Sequence, residues 1–225
     1  MIRFVLLDVD NTLLDFHRSS ESAIRHLFDE SGWPFDNGTL VTFHRINNGL
    51  WDQVETRAIT KEQLYERRWN LIFEALGMNE DGHAFEQRFL ARLAVEAVPV
   101  DGAAELLRYL APKYTVCVAS NAPHEQQIKR MNHSKLLPYV SEMFTSERLG
   151  VSKPDKAFFD ACLEILKPAT LDEVIIIGDS ISADIRGGQA AGIATCWFNP
   201  NGLKAPDDCI PTYTVTHLSD ILGIL

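Results

Sequence analysis

Cysteine is scarce in this chain, and the four present (Cys117, Cys162, Cys196 and Cys209) form no C-x-x-C pair. That spacing excludes a zinc ribbon or a dithiol redox motif. Cys117 and Cys196 fall inside apolar runs, so reduced core fillers are expected rather than disulfides. Basic residues are outnumbered as well: 21 Lys and Arg face 31 Asp and Glu, a formal net charge of −10. No basic stripe of the kind that follows a nucleic-acid backbone is present, so no nucleic-acid polymer is expected as a partner. The short pairs Arg67-Arg68 and Lys129-Arg130 read as solvated helix faces. No apolar stretch approaches the ~20 residues of a membrane helix. The first residues lack a basic segment followed by a long apolar one, so neither a membrane partner nor a signal peptide is expected and the chain reads as cytoplasmic. The histidines have no metal-ligand spacing, and no repeat or low-complexity segment stands out.

What remains is an ordinary globular composition, 46% hydrophobic over 225 residues, enough for a core plus a smaller insert. The apolar pattern changes character twice. Phe4-Val5-Leu6-Leu7 reads as a buried strand. Residues 17–97 then contain no convincing strand and instead show helical spacing. Ala23, Ile24, Leu27 and Phe28 mark one helix, and Leu40, Phe43, Leu50, Trp51 and Val54 a second. Thr60 with Gln63 makes a capping box for a third, and Phe85, Phe89 and Leu93 mark a fourth. From Val98 onward strands and helices alternate: 114–119, 143–145, 174–177, 194–198 and 212–216 as strands, with helices near 101–111, 123–136, 154–166, 182–191 and 218–224 between and after them. Pro154 suits the first helical turn of its segment. Such alternation predicts a parallel sheet covered on both faces, an α/β, Rossmann-like doubly wound core. The first strand must belong to that sheet. The predicted domains are therefore a core of 1–15 and 98–225 and an inserted four-helix domain of 16–97.

The acidic residues gather at predicted strand ends, where open α/β sheets bind ligands. Asp8 and Asp10 follow the first strand, and Asp179 and Asp184 follow the run Val174 to Ile177. Carboxylates collected there repel one another unless a cation sits among them, which points to magnesium and phosphate chemistry. Each piece has a plainer reading when taken alone. Asp-Asn-Thr is natural turn chemistry, Ser120-Asn121 can simply cap the next helix, and Lys153 can be a solvated loop lysine.

Taken in order, the array DVDNT, SN, KPD and GDSISAD resembles the four motifs of the haloacid dehalogenase-like hydrolase superfamily, and the helical insert resembles that family's cap domain. The resemblance implies Asp8 as nucleophile and Asp10 as general acid and base. It implies magnesium held by the Asp8 carboxylate, the Asp10 main-chain carbonyl and Asp179, with manganese as an equivalent choice of hard ion. Ser120, Asn121 and Lys153 are then the phosphate-binding residues, Asp184 orients Lys153, and Thr12 braces the first turn. Asp10 separates the phosphatase branch from the dehalogenases, whose halide leaving group needs no proton. Stretches such as Asn47 to Trp51, Gly150 to Asp155 and Gly187 to Asn199 are similar to the bacterial pyrimidine 5′-nucleotidases of the house-cleaning type. They imply a small phosphate monoester as substrate for a monomer or homodimer. Among Phe16, Phe43, His44, Asn47, Trp51 and Tyr65 of the insert, Asn47 is the candidate to read a pyrimidine edge. The alternatives are a phosphatase or phosphomutase acting on sugar phosphates or phosphoglycolate, and a non-catalytic phosphoacceptor domain.

Overall fold

A computed structural model describes all 225 residues. The chain divides into two compact units, Met1–Phe16 with Ala97–Leu225, and His17–Glu96. The second is all helical: α1 (Phe16–Ser31), α2 (Asn37–Glu55), α3 (Lys61–Ala75) and α4 (Gly82–Leu93). Asp36, Thr60 and Asp81 each accept a main-chain N–H in the first turn of the helix they precede, and Thr60 with Gln63 closes a reciprocal capping box. Trp69 and Phe73 of α3 meet Phe85 and Phe89 of α4, with the Trp69 and Phe85 rings 4.3 Å apart in T-shaped contact. The helices approach closely at Gly82, where a Cβ would lie 2.3 Å from the main-chain nitrogen of Asn70.

The first unit is built on six parallel strands: β1 (Phe4–Leu7), β2 (Thr115–Ser120), β3 (Glu142–Thr145), β4 (Val174–Gly178), β5 (Ala194–Phe198) and β6 (Tyr213–Val215). Their order is β3-β2-β1-β4-β5-β6, so the direction of winding reverses between β1 and β4. Period-two alternation sends β1 residues to opposite faces. Val5 and Leu7 pack with Leu106, Leu107 and Leu110 of α5 (Ala103–Leu110), whereas Phe4 and Leu6 pack with Phe158, Phe159 and Cys162. The remaining helices are α6 (His124–His133), α7 (Ser146–Leu149), α8 (Lys156–Leu166) and α9 (Gly187–Ala191). This is the doubly wound sheet expected from the alternation, with all four cysteines buried and free. No helix is long and apolar enough to cross a membrane.

Local differences from the sequence reading have local causes. Pro154 lies in the turn before α8 rather than in its first turn, after a cis peptide bond, and Asp155 caps the helix by accepting the Ala157 N–H. The helix expected near 182–191 is a π-helical turn, Ile181–Arg186, followed by α9. The last helix is 3₁₀, Leu218–Gly223.

One residue of each basic pair also turns inward: Arg67 and Lys129 are exposed, but Arg68 and Arg130 are buried. Arg68 is saturated, donating from Nε to Glu86 Oε2 at 3.1 Å, from Nη1 to Asn47 Oδ1 at 2.9 Å, and from Nη2 to Glu86 Oε1. A helical spacing that looked solvated thus carries an interior ion pair, which is tolerated because every charged oxygen and nitrogen has a partner.

Candidate active site

The C-terminal ends of β1 and β4 lie side by side at the reversal, and the Asp8 N–H donates to Ile177 O at 2.9 Å. β1 stops at Leu7, so Asp8 and Asp10 belong to the turn that leaves the strand rather than to one face of it. That turn is braced by Asn11, which takes a positive φ of 61° and accepts the Phe16 N–H on its side chain at 3.2 Å. The Thr12 hydroxyl, expected to brace it, is buried and has no hydrogen-bond partner.

Lys153 is only 2% exposed and spends its ammonium on three acceptors: Asp8 Oδ1 at 2.7 Å, Asp184 Oδ1 at 2.6 Å and the Ala119 carbonyl at 2.6 Å. An ammonium has three N–H donors, so its geometry is filled. Asn121 sets this lysine in place. Its Oδ1 accepts the Lys153 N–H and its Nδ2 donates to Lys153 O, both at 2.9 Å. Asn121, expected to hold phosphate, therefore uses its side chain on the lysine loop. Asp184 is fixed from its other oxygen by the Ser180 N–H at 3.1 Å. It lies so close over Gly178 that a Cβ there would sit 2.1 Å from Asp184 Oδ2, which explains the glycine at the end of β4.

One carboxylate oxygen from each of Asp8, Asp179 and Asp184 lies within 4.8 Å of the others. Burial pushes Asp8 up to about 7, opposed by Lys153 and reinforced by Asp184 and Asp10. Burial also holds Asp179 well above the usual carboxylate range, with Asp8 and Asp184 adding to it. Burial alone would lower Lys153, but Asp184 and Asp8 outweigh it and raise the ammonium above its ordinary value. Three acidic groups around one ammonium leave an excess of negative charge in a poorly hydrated place. The donors are all oxygen, and neither Asp8 Oδ2 nor the Asp179 carboxylate takes a hydrogen bond from the protein. These features fit a hard divalent cation such as Mg²⁺. The Asp179 main chain is held by Trp197, whose indole N–H donates to Asp179 O at 2.9 Å, a support that no motif signalled.

The Asp10 carboxylate is engaged elsewhere. Oδ1 accepts from Arg130 Nη1 at 2.6 Å and Oδ2 from Gln127 Nε2 at 2.9 Å. Gln127 Nε2 also donates to Ser120 Oγ at 2.9 Å. Neither Gln127 nor Arg130 was legible as a site residue. A polar pair three apart on a helix looks solvated until the helix is docked on the sheet. In the helical unit, Asn47 is 2% exposed, and its amide is held by Arg68 and by Asn48 Oδ1 at 3.2 Å.

The arrangement has counterparts among known proteins. A family model described as haloacid dehalogenase-like hydrolase matches residues 2–192. HAD-hydrolase YfnB of Bacillus subtilis is 34% identical over 99% of this chain and 95% of its own length. Its magnesium-bound crystal structure superposes with a TM-score of 0.93, covering 100% of this chain and 98% of that one. Pyrimidine 5′-nucleotidase PynA of Streptococcus pneumoniae is 34% identical, over 99% of this chain and 94% of its own. Pyrimidine 5′-nucleotidase YjjG of Escherichia coli is 29% identical, over 99% and 97%. The family match covers most of the chain, and a relative 34% identical covers 99% of it. By both measures this chain belongs to the haloacid dehalogenase-like hydrolases.

Proposed function

We propose that the chain is a Mg²⁺-dependent phosphomonoester hydrolase working through an aspartyl-phosphate on Asp8, with pyrimidine nucleoside 5′-monophosphates as substrates. The observation that carries this reading is the Lys153 ammonium joined to both Asp8 and Asp184 at one buried strand-end site. Asp8, Asp179 and the Asp10 main-chain carbonyl would hold the metal, whose charge when bound offsets that of the incoming phosphate.

The residues then divide the work. Lys153 fixes the Asp8 carboxylate through Oδ1 and adds positive charge beside the phosphoryl oxygens. Ser120 donates its hydroxyl proton to one of those oxygens. An Asp8 oxygen attacks phosphorus as the bond to the substrate oxygen breaks, and Asp10, as the acid, protonates the departing alcohol. Asp10, now a carboxylate, takes a proton from the water that attacks the aspartyl-phosphate. The bond between phosphorus and Asp8 breaks, and inorganic phosphate leaves. The nucleotide choice is supported by the relatives named pyrimidine 5′-nucleotidases at 34% and 29% identity.

The test is a panel of nucleoside monophosphates and sugar phosphates compared by kcat/KM, with Mg²⁺ and with chelator. Pyrimidine nucleotides are expected to lead, and chelation to stop phosphate release. A sugar phosphate preferred by about ten-fold or more would overturn the substrate class. Undiminished release in chelator would overturn the metal requirement, and a stable acyl-phosphate without turnover would make the chain a phosphoacceptor.

A further inference from the structure

Gln127 and Arg130 lie outside the four motif segments, yet they are 0% and 1% exposed and touch two of them. They stand three apart on α6, on one helix face. Hydrogen-bond capacity explains what they do. A serine hydroxyl has one proton and two acceptor positions. Ser120 Oγ accepts from Gln127 Nε2 at 2.9 Å and from the Ala122 N–H at 3.2 Å, so both acceptor positions are filled and its proton is the function left over. The second Gln127 Nε2 proton goes to Asp10 Oδ2 at 2.9 Å. This orientation of the amide is enforced by Arg130 Nη1, which donates to Gln127 Oε1 at 3.1 Å and to Asp10 Oδ1 at 2.6 Å. Turning the amide over would bring Gln127 Oε1 against the Asp10 carboxylate and its NH₂ against the guanidinium. Arg130 gains little from the fold in return, because its Nε and Nη2 are buried without any hydrogen-bond partner. A saturated interior arginine such as Arg68 leaves no donor unanswered, whereas a buried arginine bonded through one nitrogen is costly for stability alone.

We infer that Gln127 and Arg130 are positioning residues that act through Asp10 and Ser120. They grip both oxygens of the Asp10 carboxyl in one orientation and commit the Ser120 hydroxyl to donating its proton. The inference rests on the reading of Asp10 as proton donor and Ser120 as phosphoryl ligand.

The test compares kcat/KM for p-nitrophenyl phosphate, whose leaving group is a stable anion, with that for a primary alkyl phosphate, whose leaving group must be protonated. Both are assayed with Mg²⁺ on Asp10→Asn, Gln127→Met, Arg130→Met and Arg130→Lys, with melting curves confirming folding. General acid catalysis contributes roughly 10²–10⁴-fold, so Asp10→Asn should lose far more on the alkyl substrate. Gln127→Met and Arg130→Met should share that bias, about ten-fold or more, and Arg130→Lys should recover part of it. Equal losses on both substrates in the Gln127 and Arg130 variants, while Asp10→Asn discriminates, would overturn the inference. Absence of discrimination in Asp10→Asn itself would instead overturn the acid role of Asp10, a separate failure. Should Arg130→Met not fold, Gln127→Met and Arg130→Lys carry the same comparison. The Ser120 arm is read with inorganic phosphate as inhibitor. Gln127→Met should weaken its inhibition constant several-fold in the parent and leave it unchanged in a Ser120→Ala background. Equal weakening in both backgrounds removes Ser120 from the inference.

Discussion

Arg68 and Arg130 are both buried, one in each unit, and their surroundings differ in a telling way. Arg68 meets Glu86 through two nitrogens and Asn47 through the third, so charge and hydrogen bonding close within the helical unit. Arg130 bonds through Nη1 only, and its main acceptor is the carboxylate of Asp10. The acidic groups follow the same division. Glu86 is matched by one arginine, while Asp8, Asp179 and Asp184 crowd around the single Lys153 ammonium. Buried charge that is fully answered by its neighbours builds a scaffold. Buried charge left in excess or half-answered marks the place where a ligand completes the arrangement.

Removing the central acid tests that division most severely. Asp8→Asn should lower turnover by on the order of 10⁴-fold or more, yet leave the metal-free protein at least as heat-stable, because the cost of burying the Asp8 charge, with repulsion from Asp184 and Asp10, outweighs the attraction of Lys153. A variant with near-parental turnover would remove Asp8 from the chemistry. Breaking the answered pair should do the reverse. Arg68→Met strands the Glu86 carboxylate and should cost roughly 3–5 kcal/mol of stability. Urea unfolding followed by tryptophan fluorescence reads this directly, since Trp33, Trp51 and Trp69 lie in the helical unit. Pairing it with Glu86→Leu should restore most of the loss, and a neutral single variant would erase the contrast.

Acidity sharpens the comparison more gently. The folded metal-free protein holds a proton on Asp8 up to about 7, whereas the ordinary value is 3.8. Between those values the unfolded chain has released a proton that the folded one retains, so stability should decline as pH rises from about 4 toward 7. Asp179, also raised by burial, contributes with the same sign. Melting curves across that range in chelator should show the decline, and Mg²⁺ should flatten it; a stability that climbs with pH in chelator would contradict the crowded-acid picture. The smallest effect is expected at Trp197→Phe, which deprives the Asp179 carbonyl of its donor. About 1 kcal/mol of stability is at stake, together with a several-fold weaker Mg²⁺ dependence of activity, read by metal titration.

Much of the candidate site was legible because four motifs carry unusual chemistry at strand ends. Asp8, Lys153, Asp179 and Asp184 stand out once the four motifs are taken in order, and the structure brings them together. What escaped notice has ordinary local patterning. Gln127 and Arg130 occupy a helix whose composition reads as solvated, and only the docking of α6 turns that face toward Asp10. The resemblance implies Asn121 as a phosphate residue, while its side chain bonds a peptide 32 residues further along the chain. Asn47 is the candidate amide for a pyrimidine edge, and its bond from Arg68 of the next helix is a contact that the sequence did not signal.

The amino-acid order by itself determined where the strands run, since apolar stretches such as Val174 to Ile177 have no favourable alternative to burial in a two-sided sheet. It also determined which residue types arrive at the strand ends. Tertiary structure alone decided which of them share a proton or a charge. Lys153 reaches Asp8 across 145 positions of chain, and Arg130 reaches Asp10 across 120. Hydrogen bonds and ion pairs act over a few ångströms, and only packing on the sheet shortens such separations to that range.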